Sequence, residues 1–148
     1  MKLTLDDLIA KINERYPVTL KETLTRIRLD GTEEQMQGLA YVDGRIEIVS
    51  GLNEDTTVFV LLHELGHLEL KHHRLMFSPA SKYVEVDADA YAVQLGRRLG
   101  FLKRFACFDS NPILIQFRNE PMHRADVRRA AKQAARWITG SCATCQVL

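Results

Sequence analysis

Apolar residues recur with a helical period at the start of the chain. The apolar positions of residues 3–16 fall on one helical face: Leu5, Leu8, Ile9 and Ile12. This spacing of three and four residues predicts an amphipathic helix. Thr4 is of a residue type that caps helix starts, and Pro17 ends the predicted helix because proline disfavours helical geometry in the residue before it.

Shorter segments after this helix carry strand patterns. Residues 23–29 partly alternate between apolar and polar side chains, which predicts a strand. Residues 38–42 and 45–49 are two apolar-rich runs joined by Asp43-Gly44. That dipeptide between two such runs is typical of a β-hairpin, so we predict that the two runs pair.

Longer segments in the second half of the chain carry helical patterns. Residues 56–72 are apolar on most sides, which predicts a buried helix. Another helix, rich in alanine, is expected from residue 81 or 82 to residue 99, and a last one over residues 123–138. We predict an α+β fold in which a small mixed or antiparallel sheet of about three strands packs on the helix of residues 56–72.

Length and composition fit one folded domain. The chain has 148 residues, of which 46% are hydrophobic and 26% charged, an ordinary globular balance. We divide this single domain into an N-terminal helix and sheet (1–50), two central helices (51–100), a C-terminal helical part (101–140) and a flexible tail (141–148).

Charge, hydropathy and cysteine usage argue against several classes of protein. A net charge of +1 is unlike the basic excess of a dedicated nucleic-acid binder. No apolar run approaches the roughly 18 residues of a membrane span, and no apolar signal core follows the N-terminus. An odd number of cysteines, three, suggests reduced thiols rather than a disulfide framework. We therefore expect a cytoplasmic protein without a membrane span.

One segment carries the pattern of a metal site: His63-Glu64-Leu65-Gly66-His67. Two histidines four residues apart on a helix lie on one face and can bind one zinc ion together. Glu64 is offset by one residue, so we expect it beside the metal, where it can accept a proton from water as a general base. The alternative is a pair of core histidines with satisfied hydrogen bonds, but a buried unpaired Glu64 would then be costly.

A catalytic zinc ion usually has three protein ligands and one open position. Glu85, near the start of the next predicted helix, is our candidate for the third ligand. Asp89 lies one turn further on the same face and can accept the proton on the second ring nitrogen of a ligand histidine. The alternative is a solvated acidic first turn of a helix. His72 and His73 lie a full turn beyond the paired histidines on a rigid helix, so we expect a structural or helix-capping role for them.

These residues resemble a known family. Residues 43–52 (DGRIEIVSGL), 60–67 (VLLHELGH) and 85–92 (EVDADAYA), together with His72, are similar to the gluzincin metallopeptidases, in particular the CAAX prenyl endoprotease and bacterial heat-shock membrane protease type. The resemblance covers residues 45–99. It implies a zincin-like fold and zinc endopeptidase activity with one catalytic zinc ion. It also implies Glu85 as a ligand and Asp89 as its supporting residue, in a minimal relative without membrane helices.

A weaker match lies in the C-terminal part. Residues 122–129 resemble the family's histidine-containing segment, which implies that His123 stabilises the oxyanion with Arg129 nearby. The prolines that follow this histidine in the family are absent, and an exposed histidine at a helix start is an equal alternative. The chain also shares the acidic helix after HExxH with metallopeptidases that cleave phage repressors.

The sequence leaves three functional hypotheses. The first is a zinc endopeptidase acting on a protein or peptide, with residues 45–49 as a sheet edge that binds extended substrate by strand addition. The second is a non-catalytic zinc-stabilised module that binds protein or nucleic acid through its basic last helix. The third is a protease restricted to one repressor-like partner. The Cys142 and Cys145 pair is too small a set for a structural zinc site.

Overall fold

The structure is a computed structural model that describes residues 3–75, 78, 81, 83–101 and 121–140, with side chains from residue 125 onward in the last of these segments. It is an α+β fold. Its described part contains four α-helices: α1 (Leu5–Asn13), α2 (Glu54–Glu69), α3 (Val84–Arg98) and α4 (Pro121–Thr139). All four correspond to helices predicted from the sequence.

The main sheet is small and mixed. It consists of β1 (Val18–Lys21), β4 (Gly38–Ala40) and β5 (Ile46–Val49), in the order β1-β5-β4. The β4–β5 hairpin confirms the pairing predicted from Asp43-Gly44, whereas β1, which pairs with β5 in parallel, was not predicted. The expectation that residues 45–49 form the sheet edge is wrong. β5 is the middle strand because β1 pairs with one of its edges and β4 with the other, while Ile46 and Ile48 bury one face of it in the core.

A second, two-stranded sheet precedes β4. It pairs β2 (Thr25–Ile27) with β3 (Glu33–Gln35) in antiparallel fashion. The predicted strand of residues 23–29 is thus shorter than expected. It lies in an exposed hairpin whose two arms are joined by salt bridges from Arg26 and Arg28 to Glu34.

Helix α2 is the centre of the core. Its fully buried face, which includes Leu61, Leu62 and Leu65, packs against the main sheet and α3. Asn53 caps its start by accepting a hydrogen bond from the backbone of Thr56. Capping and burial on most sides together fix the rotation of α2 and therefore the direction in which its polar residues point.

A close approach brings α3 against α2. The ring of Tyr91 lies over Gly66, and a Cβ added at Gly66 would be 2.9 Å from Tyr91 Cδ1. Any larger residue at this position would push the two helices apart. The glycine inside the HExxH segment therefore allows the first turn of α3 to reach the histidines of α2.

The end of α2 differs from the prediction. The helix ends at Glu69, and Lys71 has a φ of 54°, in the left-handed region. The chain then forms a short 3-10 helix, His72–Leu75, instead of continuing α2 to residue 72. Left-handed backbone reverses the chain direction, so His72 folds back toward the preceding turn rather than extending away from it.

In the described part of the chain, no helix has both the length and the apolar character that crossing a membrane would require.

Candidate metal centre

His63 and His67 lie one turn apart on α2 and point toward a common region. Their Nε2 atoms are 3.1 Å apart. Two nitrogens that each lie about 2.0–2.1 Å from one zinc ion, at a roughly tetrahedral angle, would be about 3.3–3.4 Å apart. The observed separation therefore suits two ligands of one ion.

Glu85 reaches the same region from the first turn of α3. Its Oε2 lies 3.1 Å from His63 Nε2, and its Oε1 lies 3.4 Å from His67 Nε2. One ligand atom from each of these three residues falls within 4.8 Å of the others, so the group could hold a metal ion. Glu85 is 69% exposed, which leaves the side of the group opposite the protein open to solvent.

Asp89 supports His63 from behind. Its Oδ1 lies 2.8 Å from His63 Nδ1, on the far side of the ring from Glu85. Burial alone would lower the pKa of His63, but the hydrogen bonds to Asp89 and Glu85 outweigh it and raise this pKa to about 10. The same contacts, from His63 first and His67 second, hold the pKa of Glu85 well below its ordinary range. The two carboxylates therefore favour positive charge at this site.

Glu64 lies beside the three converging side chains and is only 8% exposed. Burial raises the pKa of its carboxyl, and the charges of His63 and His67 oppose that rise. Glu64 lines the same cleft as His63 and His67 and is not one of the three residues whose atoms converge. It therefore lies next to the group rather than within it, as its one-residue offset in the sequence predicted.

Gly38, which the sequence analysis did not single out, holds Glu64 in place. A Cβ at Gly38 would lie 2.6 Å from Val60 Cγ1 and 2.9 Å from Glu64 Cγ. The backbone of β4 therefore lies directly on the side of α2 that carries Glu64. No sequence signal indicates this contact, because it joins two elements that are distant in the chain.

Replacing Gly38 by alanine should lower the free energy of unfolding by about 1–3 kcal/mol, the usual cost of overpacking a tight contact. It should also displace Glu64. Chemical denaturation measures the first effect. Adding Val60→Ala removes the closest atom, so the double variant should lose less stability than the sum of the two single changes. Full additivity of the two changes would contradict this contact.

An open cleft of about 370 Å³ runs past the group. Its floor is formed by the histidines and Glu64 on α2, and one wall is β4 with the residues that follow it, Tyr41 and Val42. Arg26 of the exposed β2–β3 hairpin contributes to the lining as well. The cleft thus extends beyond the three converging side chains along the edge of the main sheet.

His72 occupies a position that the sequence analysis did not foresee. It is not among the three residues whose ligand atoms converge. Instead, its Nδ1 lies 2.8 Å from Nδ1 of His67. Burial first, and the charge of His67 second, lower the pKa of His72 to about 3, so this imidazole is neutral. The prediction assumed a straight helix, and the reversal at Lys71 is what brings His72 back to His67.

The remaining predicted residues fall on α4 or outside the described part of the chain. His123 lies in the first turn of α4, but its side chain is outside the described residues, so its role stays a prediction. Arg129 donates to Asp126 at 3.1 Å on the solvent side of α4. Arg128, Lys132 and Arg136 are exposed at four-residue intervals on the same helix, as expected for its basic face. The cysteines and the tail 141–148 lie outside the described residues.

Comparison of the chain with protein-family models, with curated proteins and with solved structures gave no match.

Proposed function

We propose that this protein is a zinc-dependent endopeptidase with a zincin-like fold, in which His63, His67 and Glu85 hold one zinc ion and Glu64 is the general base. The observation that carries the proposal is the convergence of two imidazoles and a carboxylate beside a buried glutamate, in an open cleft. Two histidines and one glutamate form a ligand set typical of catalytic zinc in metalloproteases.

The chemistry divides between the ion and the protein. Zinc in such a site polarises the scissile carbonyl and lowers the pKa of water. Glu64 accepts the proton of the attacking water and can pass it to the leaving amine. Because burial raises the pKa of the Glu64 carboxyl, this group is a stronger base than an exposed glutamate. Asp89 holds the ring of His63 in place through its 2.8 Å contact with Nδ1.

The edge strand β4 suits the binding of an extended peptide. Hydrogen bonds from Val49 N to Gln37 O and from Tyr41 N to Arg45 O join the alternate residues of this segment to β5. By the alternation of an antiparallel ladder, the backbone groups of Gly38 and Ala40 face the other way, toward the edge that no described strand covers. A substrate that adds as a strand there would lie along the cleft. We therefore propose that an extended substrate pairs with β4, and not with residues 45–49 as the sequence suggested.

Metal removal tests the proposal. The purified chain should contain about one zinc ion by elemental analysis and should cleave members of an unbiased peptide library, as read by mass spectrometry. A chelator should abolish cleavage, and added zinc should restore it, because the ion supplies the electrophile.

The outcome also separates the competing hypotheses. A chain that holds zinc but cleaves neither the library nor itself would favour the non-catalytic module. Cleavage restricted to a few related sequences would favour a protease with a single partner.

A further inference from the structure

The hydrogen bonds behind the two metal-facing histidines differ. Asp89, a carboxylate on α3, faces Nδ1 of His63 at 2.8 Å. His72, an imidazole on the 3-10 helix, faces Nδ1 of His67 at the same distance. Each of the two histidines thus has one nitrogen directed at the metal-binding region and the other at a fixed partner. The sequence analysis assigned Asp89 to a ligand histidine but gave His72 no contact with His67.

We infer that His72 is a positioning residue that fixes the ring orientation and tautomer of His67 by accepting a hydrogen bond from its Nδ1–H. The inference rests on the metal site proposed above, but it does not depend on peptide hydrolysis. His67 directs Nε2 at His63 and Glu85, so this nitrogen must keep its lone pair to bind an ion. The proton of a neutral His67 then sits on Nδ1.

The proton on His67 determines the tautomer of His72. Two nitrogens 2.8 Å apart need one donor and one acceptor, and His67 Nδ1 is the donor. Nδ1 of His72 must therefore be unprotonated, and the proton of this imidazole sits on Nε2. This arrangement requires a neutral acceptor with a single defined orientation, which an exposed histidine would not provide.

The backbone holds His72 rigidly in that orientation. The residue is 5% exposed, and its ring meets the ring of His67 at 5.0 Å between centroids with an interplanar angle of 71°. The left-handed residue Lys71 sets the reversal, and Arg74 N donates to Lys71 O at 3.0 Å to close the turn. A non-glycine residue with positive φ carries a conformational cost. This cost falls at Lys71, the residue whose conformation turns the chain so that His72 contacts His67.

A neutral partner also has an electrostatic consequence. Glu85, Glu64 and Asp89 already supply three carboxylates around the two imidazoles. An imidazole acceptor at His67 fixes the ring without adding a fourth negative charge. His67 is therefore held in place as His63 is, but by a neutral imidazole instead of a carboxylate.

The test compares two substitutions of His72. In His72→Asn, the side-chain oxygen falls near the place of Nδ1 and can still accept from His67. In His72→Leu, the acceptor is lost while the site stays filled. We expect zinc affinity, measured by competition with a chromogenic chelator, to fall about 10–100-fold in His72→Leu, the usual effect of losing such a partner. His72→Asn should bind within about three-fold of the parent.

Further measurements separate positioning from packing. Circular dichroism and thermal unfolding of the metal-free variants show whether each one folds. Long-range proton–nitrogen NMR of the zinc-loaded parent should find the proton on Nδ1 of His67 and on Nε2 of His72. A direct role also predicts a changed visible spectrum in cobalt-loaded His72→Leu and a parent-like one in His72→Asn.

If the parent chain binds zinc, three results would overturn the inference. These are parent-like zinc affinity in folded His72→Leu, equal weakening in both variants, or a proton on Nδ1 of His72. None of these readouts involves cleavage, so a parent chain that binds zinc but does not hydrolyse peptides would overturn the proposed function alone. A parent chain that binds no zinc would overturn both.

Discussion

Replacing Glu64 by glutamine is expected to reduce kcat for peptide cleavage about 10²–10⁴-fold, the usual contribution of a general base. Glutamine has nearly the same shape but cannot accept a proton from water. The zinc content should not change, because Glu64 is not among the three residues that converge. Steady-state kinetics on a peptide cleaved by the parent and elemental analysis of the same sample measure both effects.

A matched control lies on the same helix. Glu54 is an exposed glutamate in the first turn of α2, away from the cleft. Glu54→Gln removes the same charge and should leave kcat unchanged. If Glu64→Gln cleaves as fast as the parent, Glu64 is not the base. If it loses zinc as well as activity, its role is in the metal site instead.

Replacing Glu85 by alanine is expected to weaken zinc binding more than about 100-fold, because loss of a supporting residue behind a ligand already costs about 10–100-fold. Two imidazoles remain, and the charge that offsets the ion is gone. Cleavage should be lost together with the zinc, in contrast to Glu64→Gln. Elemental analysis after desalting and a competition titration with a chelator measure the loss.

Glu33→Ala is the control for this change, because Glu33 is an exposed glutamate on β3 that does not line the cleft. It should bind zinc like the parent. Retention of one zinc ion per chain in Glu85→Ala would show that another residue completes the ligand set. That result would contradict the convergence on which the proposed site depends.

The local parts of the site were predictable from the sequence. The spacing of His63 and His67 places both on one face of any helix, and the offset of Glu64 follows from the same geometry. The one-turn separation of Glu85 and Asp89 likewise depends only on helical periodicity. The β4–β5 hairpin followed from a turn signal between two apolar runs, because its register is set by adjacent residues.

The features that were missed or misjudged involve contacts between distant elements. β5 is central rather than an edge because β1, from a segment with no strong strand pattern, pairs with it in parallel. Gly38 matters because β4 presses on the side of α2 that carries Glu64. His72 was assigned to the end of a straight helix, and the unexpected left-handed conformation of Lys71 turned it back to His67.

The sequence by itself determined which side chains are available as ligands and base, and their spacing within each helix, because helical periodicity is a local property of the backbone. Only the tertiary structure decided that α3 brings Glu85 to the two histidines, that β4 lines the cleft, and that His72 supports His67. Those arrangements depend on packing between segments far apart in the chain, where burial and close approach, as of Tyr91 over Gly66, override local preference.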